Sequence, residues 1–194
     1  MNFPILSSLI LLPSIGALFI LISGASEKTN YQSSKYVALF VSFANFFISI
    51  YLWYIFDSNI TDFQFVEDRS WIQGFINYKV GIDGISILFI VLSTLITPLC
   101  IVSVNKSVNT KLKEFLIAIL LMESLMIGVF CSIDLVIFYL FFEGGLVPMF
   151  LIIGIWGGPR RVYAAFKFFL YTLGGSVLFL IAIIVMANVS ETFD

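Results

Sequence analysis

Apolar residues run through this chain in long blocks broken by short polar stretches, and block length defines its elements. Segments of about 18 or more apolar residues are candidate membrane-spanning helices. Six are present: Phe3–Ile22, Tyr36–Phe56, Ile82–Val104, Phe115–Cys131, Ile133–Ile155 and Tyr163–Ala187. The fourth and fifth join almost without a loop around Ser132 and Asp134, which predicts a tight antiparallel hairpin. Pro13 inside the first span predicts a kink. No Lys or Arg precedes that span, so it reads as a retained helix and not a secretory signal, despite the small residues near Ser26. The longest polar stretch, DSNITDFQFVEDRSWIQGFINYKVGIDG, separates the second and third spans. Within it FQFV alternates and FINYKV follows Gly74, the pattern of a small β-hairpin lying on the membrane. The expected fold is an all-α integral membrane protein of about six transmembrane helices. Residues 1–113 hold three helices with an outer loop at 57–81, and residues 114–194 hold three more.

Composition agrees with the block pattern. Hydrophobic residues make up 60% of the 194 and charged residues only 11%, with a mean hydropathy of +1.08. Soluble domains carry charge at roughly a quarter of positions, so this chain cannot cover a water-facing surface. The net charge of −2 says nothing about nucleic acid, but no basic cluster with interleaved aromatics points to a phosphate backbone, so no nucleic-acid partner is expected. Two cysteines, Cys100 and Cys131, and no histidine leave zinc, haem and iron–sulfur clusters without their usual ligands. No cofactor or metal is therefore expected in this chain. The cysteines fall near opposite membrane faces and are expected to be free thiols in apolar surroundings. Without histidine there is no nucleophile–base pair, and no catalytic residue is assigned. GGPRRVY reads as a turn before a helix.

Cations set the orientation. The first, third and fifth loops hold Lys28, Lys35, Lys106, Lys111, Lys113, Arg160 and Arg161, while the other side holds only Arg69 and Lys79. The basic loops are expected inside and both chain ends outside. Lys167 lies within the sixth span.

Three ionisable residues fall in the interior of spans, away from the first residues of each block: Glu123, Glu143 and Lys167. At mid-bilayer each costs at least about 2.5–3.5 kcal/mol on insertion scales. A rise of about 1.5 Å per residue puts Glu123 about 13 Å from the inner end of its helix and Glu143 at nearly the same depth. The two carboxyls are expected to share one layer, with Lys167 nearer the inner surface. A carboxyl in a low-dielectric setting resists ionisation, and a nearby carboxylate adds to that while a cation opposes it. A glutamate between such influences can exchange a proton, the property a relay needs. Pro148 has no N–H for the carbonyl of Gly144. With Gly144 and Gly145 beside Glu143, the fifth helix is expected to kink and to be closely approached there, leaving a free carbonyl and space for water. The plainer alternatives are hydrogen bonds across helices for Glu123 and Glu143, and snorkelling for Lys167. Asp134 caps the fifth helix and Glu114 opens the fourth, both as helix N-termini favour.

The runs FYLFFEGGLVPMFLIIGIWGG and RVYAAFKFFLYTLGGSVLFL, with the earlier VGIDGISILFIVL and LLMESLMIGVFCSIDL, resemble the antiporter-like M subunit (chain 4) family of proton-pumping NADH:quinone oxidoreductase, respiratory complex I. They extend from about Phe63 onward in the family's order. The resemblance implies a membrane-arm subunit of about fourteen helices built on inverted repeats after a starting trio, so the six spans here are incomplete. It implies proton translocation coupled to electron transfer from NADH to quinone, with no redox centre in this subunit. Flavin and iron–sulfur clusters would sit in partner subunits, and the partners would be other membrane-arm subunits, the lipid bilayer and protons. The family's fifth-helix glutamate, in its F-E-x-x-L-x-P-M pattern, matches Glu143. Its fourth-helix glutamate matches Glu123, and the lysine of AAxKFF matches Lys167.

The departure is length. The family chain is more than twice as long, and the lysine that partners the fifth-helix glutamate belongs to a seventh helix. The expectation is a truncated, split or partly recorded chain that neither pumps alone nor satisfies all its buried charges. Two other functions compete: a subunit of a multi-subunit cation/proton antiporter, and a passive membrane scaffold. The GIDGIS and WGG-x-RxYAAxKFF runs favour the first reading. The expected location is an energy-coupling membrane, bacterial before mitochondrial.

Overall fold

The computed structural model describes residues 4–23, 31–72, 76–104 and 111–190. Six helices carry it: α1 (Ile5–Ile22), α2 (Tyr31–Ile55), α3 (Ser86–Ser103), α4 (Leu112–Cys131), α5 (Leu135–Trp156) and α6 (Arg161–Ser190). Strands β1 (Gln64–Ile72) and β2 (Ile76–Ile82) lie between α2 and α3. All six helices are long and apolar enough to cross a membrane. The chain is a multi-pass integral membrane protein, and the small hairpin expected from FQFV and FINYKV is present. Ser26, Lys28, Gly74 and Lys106 lie outside the described residues.

Three boundaries differ from the block reading. Helix α3 starts at Ser86, not Ile82, because the apolar run Val80–Ile82 pairs as strand β2. Asp83 then ends the strand by accepting the Ser86 amide at 2.7 Å. Helix α2 begins at Tyr31, five residues before the apolar block at Tyr36, and its extra turn turns Ser34 and Lys35 inward. Helix α6 runs from Arg161 to Ser190, past both ends of its apolar block. Polar residues can extend a helix beyond the hydrocarbon, where hydropathy no longer reports them. Helices α1 and α5 continue as single helices through Pro13 and Pro148.

Helix α4 is the hub. It packs against α1, α2, α3, α5 and β2, while α6 rests on α5. One core cluster joins Leu6, Leu9 and Ile10 of α1 to Leu52, Val80, Ile82, Ile87, Ile90, Ile127 and Cys131. A second, at the other end of the bundle, joins Ala17, Ile20, Ala38, Ile101, Leu112, Leu116 and Leu120. Outward positions are also apolar, including Leu11, Phe19, Phe40, Phe47, Leu99 and Leu170. In water such a surface would aggregate; in a bilayer it is the lipid-facing wall.

The hairpin ties one face together. Its strands are antiparallel, with Glu67 opposite Val80 and Arg69 opposite Tyr78. A bulge near Phe65, whose φ is 55°, bends β1. Glu67 thereby reaches the start of α1, accepting the Leu6 amide at 2.8 Å and the Ser7 amide at 3.3 Å, along with the Ser7 hydroxyl. On the other side, the Ile133 amide donates to the Lys79 carbonyl at 3.1 Å. The tight α4–α5 turn therefore hangs on β2, and Asp134 caps α5 by accepting from Val136 and Ile137 at 2.8 and 3.1 Å. At the opposite end, cations meet helix C-termini. Lys113 donates to the Leu21 carbonyl at 3.2 Å and Arg161 to the Ile155 carbonyl at 2.6 Å, the favourable end of each helix dipole.

Candidate functional site

Gly144 faces Leu125 of α4, so that a methyl on it would come within 3.1 Å of Leu125 Cδ2. One turn away, Gly128 of α4 seats the ring of Phe141. These two contacts fix the α4–α5 register and place Glu123 level with Leu146. That is three residues, or about 4.5 Å along the axis, from Glu143. The two carboxyls occupy one layer of the hairpin, within a single helical turn of depth.

Their surroundings differ. Glu123 is buried, 3% exposed, and its Oε1 accepts from Asn45 Nδ2 of α2 at 2.9 Å. Glu143 is half-buried, with its Oε2 enclosed and unpartnered by any described residue. Both sit in an apolar layer where an uncompensated charge is costly. The close approach expected at the two glycines occurs at Gly144 only. Around Gly145 there is open space, with nothing within 4 Å of an added methyl, because that residue borders a cavity that it shares with Met122 and Met126 of α4. The carbonyl of Gly144 still lacks its helical donor, since Pro148 has no N–H.

Lys167 is not brought to Glu143 by this chain. Phe150 meets Phe166 and Phe169 of α6, so Lys167 sits near the level of Phe150. That is seven residues, about 10 Å, from Glu143. Its side chain is exposed, with the amine 5.9 Å from the Tyr163 ring. The α6 residues level with Glu143 lie near Gly174 and Gly175, judged from the Phe138–Phe179 contact.

Sequence reasoning missed the polar seam beneath Glu123. Ser42, Asn45 and Ser49 of α2 are all fully buried. Ser49 and Thr94 share a hydrogen bond at 2.7 Å, and Ser14 donates to Ser124 at 2.8 Å. None of these residues stands out in an apolar run, being neutral and small. Their spacing of three and four residues was the available signal. A cavity of about 550 Å³ adjoins the seam, with Ser93, Thr97 and Cys100 of α3 and Met122 and Glu123 of α4 in its wall. A second, of about 620 Å³, borders Gly145 and Phe168 and shares Met122 and Met126 with the first. Among the described residues no group of three His, Cys, Asp or Glu is placed to hold a metal.

Outside the spans, the hairpin face carries two shifted groups. Burial pushes the Tyr78 phenol above its ordinary value, against its hydrogen bond with Ser7 and together with the nearby Glu67 charge. Asp83 is held below the usual carboxylate value, chiefly by the Ser86 hydroxyl and amide. Both are structural: they anchor the hairpin to α1 and α3.

Residues 132–194 match the family described as NADH:quinone oxidoreductase/Mrp antiporter, transmembrane. The chain is 51% identical over 191 residues to NADH-quinone oxidoreductase subunit M of Rhodobacter capsulatus, covering 98% of this chain and 37% of that protein. It is 44% identical over 191 residues to NADH-ubiquinone oxidoreductase chain 4 of Marchantia polymorpha, covering 97% and 38%. Among solved structures it resembles respiratory complex I from Thermus thermophilus with bound NADH, with a TM-score of 0.82 and 27% identity over 97% of this chain and 37% of that one. The chain thus spans about two-fifths of the length of the curated relatives it matches. Its resemblance to subunit M, or chain 4, extends along essentially its whole sequence, and its fold is that of an antiporter-like membrane subunit.

Proposed function

We propose that this chain forms part of the proton-translocating membrane arm of an NADH:quinone oxidoreductase, with Glu143 and Glu123 carrying protons. Electrons pass from NADH to quinone in partner subunits that hold the flavin and iron–sulfur clusters. The chain itself supplies no redox centre. The observation that carries the reading is Glu143. It stands in FYLFFEGGLVPMF, at mid-depth on the α4–α5 hairpin, with an enclosed carboxyl oxygen that none of the described residues partners. A polar atom left in that state has work outside local packing. Its partner lies in neighbouring helices of the membrane arm, since Lys167 sits too far along α6. Lys167 serves at the inner end of the path, Pro148 and Gly144 supply the free carbonyl beside the acid, and Gly145 borders the second cavity.

The basic face, with Lys111 and Arg160, is inside, and the hairpin face is outside. The membrane is an energy-coupling one, bacterial cytoplasmic before mitochondrial inner. Partners are the other membrane-arm subunits and the bilayer.

The test is Glu143→Gln in the assembled complex. Proton translocation per NADH oxidised falls severely, while NADH oxidation by an artificial acceptor stays at the wild-type rate. A variant that pumps normally would overturn the relay and leave a scaffold role.

The second reading is a subunit of a multi-subunit cation/proton antiporter, favoured by the matching family's description, which spans both kinds of complex. The 51% identity to subunit M along 98% of this chain supports the first reading over it. Co-purification with flavin- and iron–sulfur-bearing subunits separates the two.

A further inference from the structure

Helix α2 presents one buried stripe: Lys35, Ala38, Ser42, Asn45, Ser49 and Leu52. These positions recur every three or four residues and so share a face. Asn45, midway along it, is completely buried against Glu123 of α4. Its Nδ2 donates to Glu123 Oε1 at 2.9 Å. This single bond leaves two enclosed acceptors without a donor, Glu123 Oε2 and Asn45 Oδ1.

The inventory of the two side chains shows what is missing. An ionised carboxylate only accepts, and the amide contributes one acceptor oxygen beside its two N–H donors. A proton on Oε2 turns the carboxyl into a donor as well as an acceptor. A carboxylic acid and a primary amide then close a ring of two hydrogen bonds, Nδ2–H to Oε1 and Oε2–H to Oδ1. One proton satisfies both leftover oxygens.

We infer that Asn45 is the positioning residue for Glu123, binding its protonated form through two hydrogen bonds and its ionised form through one. The proposal rests on Glu123 being a proton carrier. A proton arriving on Oε2 closes the ring; its departure restores the single bond and leaves Oε2 and Oδ1 free to accept from water in the adjoining 550 Å³ cavity, whose wall includes Ser93 and Thr97. Few charges compete with the amide. Helices α1 and α3 contain no Asp, Glu, Lys or Arg, and the titratable thiol of Cys100 on α3 lines the same cavity. Helix α2 contributes Lys35 near its basic end, β2 contributes Lys79 at the hairpin face, and α5 contributes Glu143 within one turn of depth.

Infrared difference spectroscopy on the assembled complex tests the pair. The carboxyl C=O band that disappears in Glu123→Gln identifies Glu123. In Asn45→Leu, similar in size but without an amide, that band moves to higher frequency, and proton translocation per NADH falls while oxidation by an artificial acceptor is unchanged. A Glu123 band that stays in place in Asn45→Leu overturns the pairing alone. A wild-type complex with no protonated Glu123 at any pH overturns the pairing and the relay reading together. If the leucine variant fails to assemble, wild-type complex grown with ¹⁵N-asparagine answers instead. A side-chain amide band must shift with isotope and vanish from the difference spectrum in Glu123→Gln; its absence refutes the assignment.

Discussion

Asp83 shows how far a residue's behaviour follows from the donors around it. It is half-buried, and the hydroxyl and amide of Ser86 hold its carboxyl below the usual value. A carboxyl depressed by folding contributes stability above its unfolded value, near 4, and loses it as pH falls through the lower, folded one. The start of α3 should therefore loosen in acid. Amide exchange at Ser86 and Ile87 is expected to rise below about pH 4 in the wild type, and Asp83→Asn should flatten that dependence. Exchange that stays pH-independent in the wild type would remove Asp83 as the cause. Glu123 and Glu143 were legible in the sequence for the opposite reason: a carboxylate in an apolar block announces its cost. Asn45 was not, because an amide among Phe, Ala and Ser raises no such flag until a neighbouring helix supplies its partner. Asp83 is the second residue of the apolar block Ile82–Val104, so hydropathy counts it into the span, whereas it stands just before α3 and accepts the Ser86 amide.

At the scale of the elements, the α4–α5 hairpin sets the depth of both acids, and two glycines test what holds it. Helix propensity favours Gly→Ala by roughly 0.5–1 kcal/mol. Packing opposes it at Gly128, where an added methyl would sit 2.5 Å from the Phe141 ring. Overpacking of that kind costs about 1–3 kcal/mol, so packing wins. Gly128→Ala should lower stability in detergent-denaturant unfolding, and Phe141→Leu should recover most of the loss, a coupling that a double-mutant cycle reads directly. Gly145→Ala, facing open space within this chain, should show no such loss. Additive costs at 128 and 141 would mean the ring contact is not what spaces the helices. The existence of the hairpin was plain from the near-absent loop at Ser132. Its register was not, because apolar blocks carry no mark of which small residue admits which ring. The β-hairpin was legible from alternation. Its hold on α1 through Glu67 was not, since the Leu6–Glu67 contact joins residues 61 positions apart.

Across the whole molecule, two asymmetries bear on one question, which way the acids face. Burial is uneven: 44% of the spanning window of α4 is enclosed but only 11% of that of α6, so α6 meets lipid or further helices on most of its surface. Charge is uneven too. Among the described residues, Lys35, Lys111, Lys113, Arg160 and Arg161 gather at the end away from the hairpin, while Arg69 and Lys79 lie on the hairpin itself. The fold does not choose a direction, since either face could look inward with the same packing. The proposed orientation rests on the cations, because basic loops tend to stay on the side from which a chain is inserted. The orientation is open to direct test in inner-side-out vesicles. With the exposed native Cys100 replaced by Ser, a single cysteine at Lys111 or Arg160 should react at once with a membrane-impermeant maleimide, whereas one at Arg69 should react only after the membrane is opened. Reversed labelling would put the hairpin inside. Lys167 would then lie at the outer end of any path through Glu143 and not at its inner end.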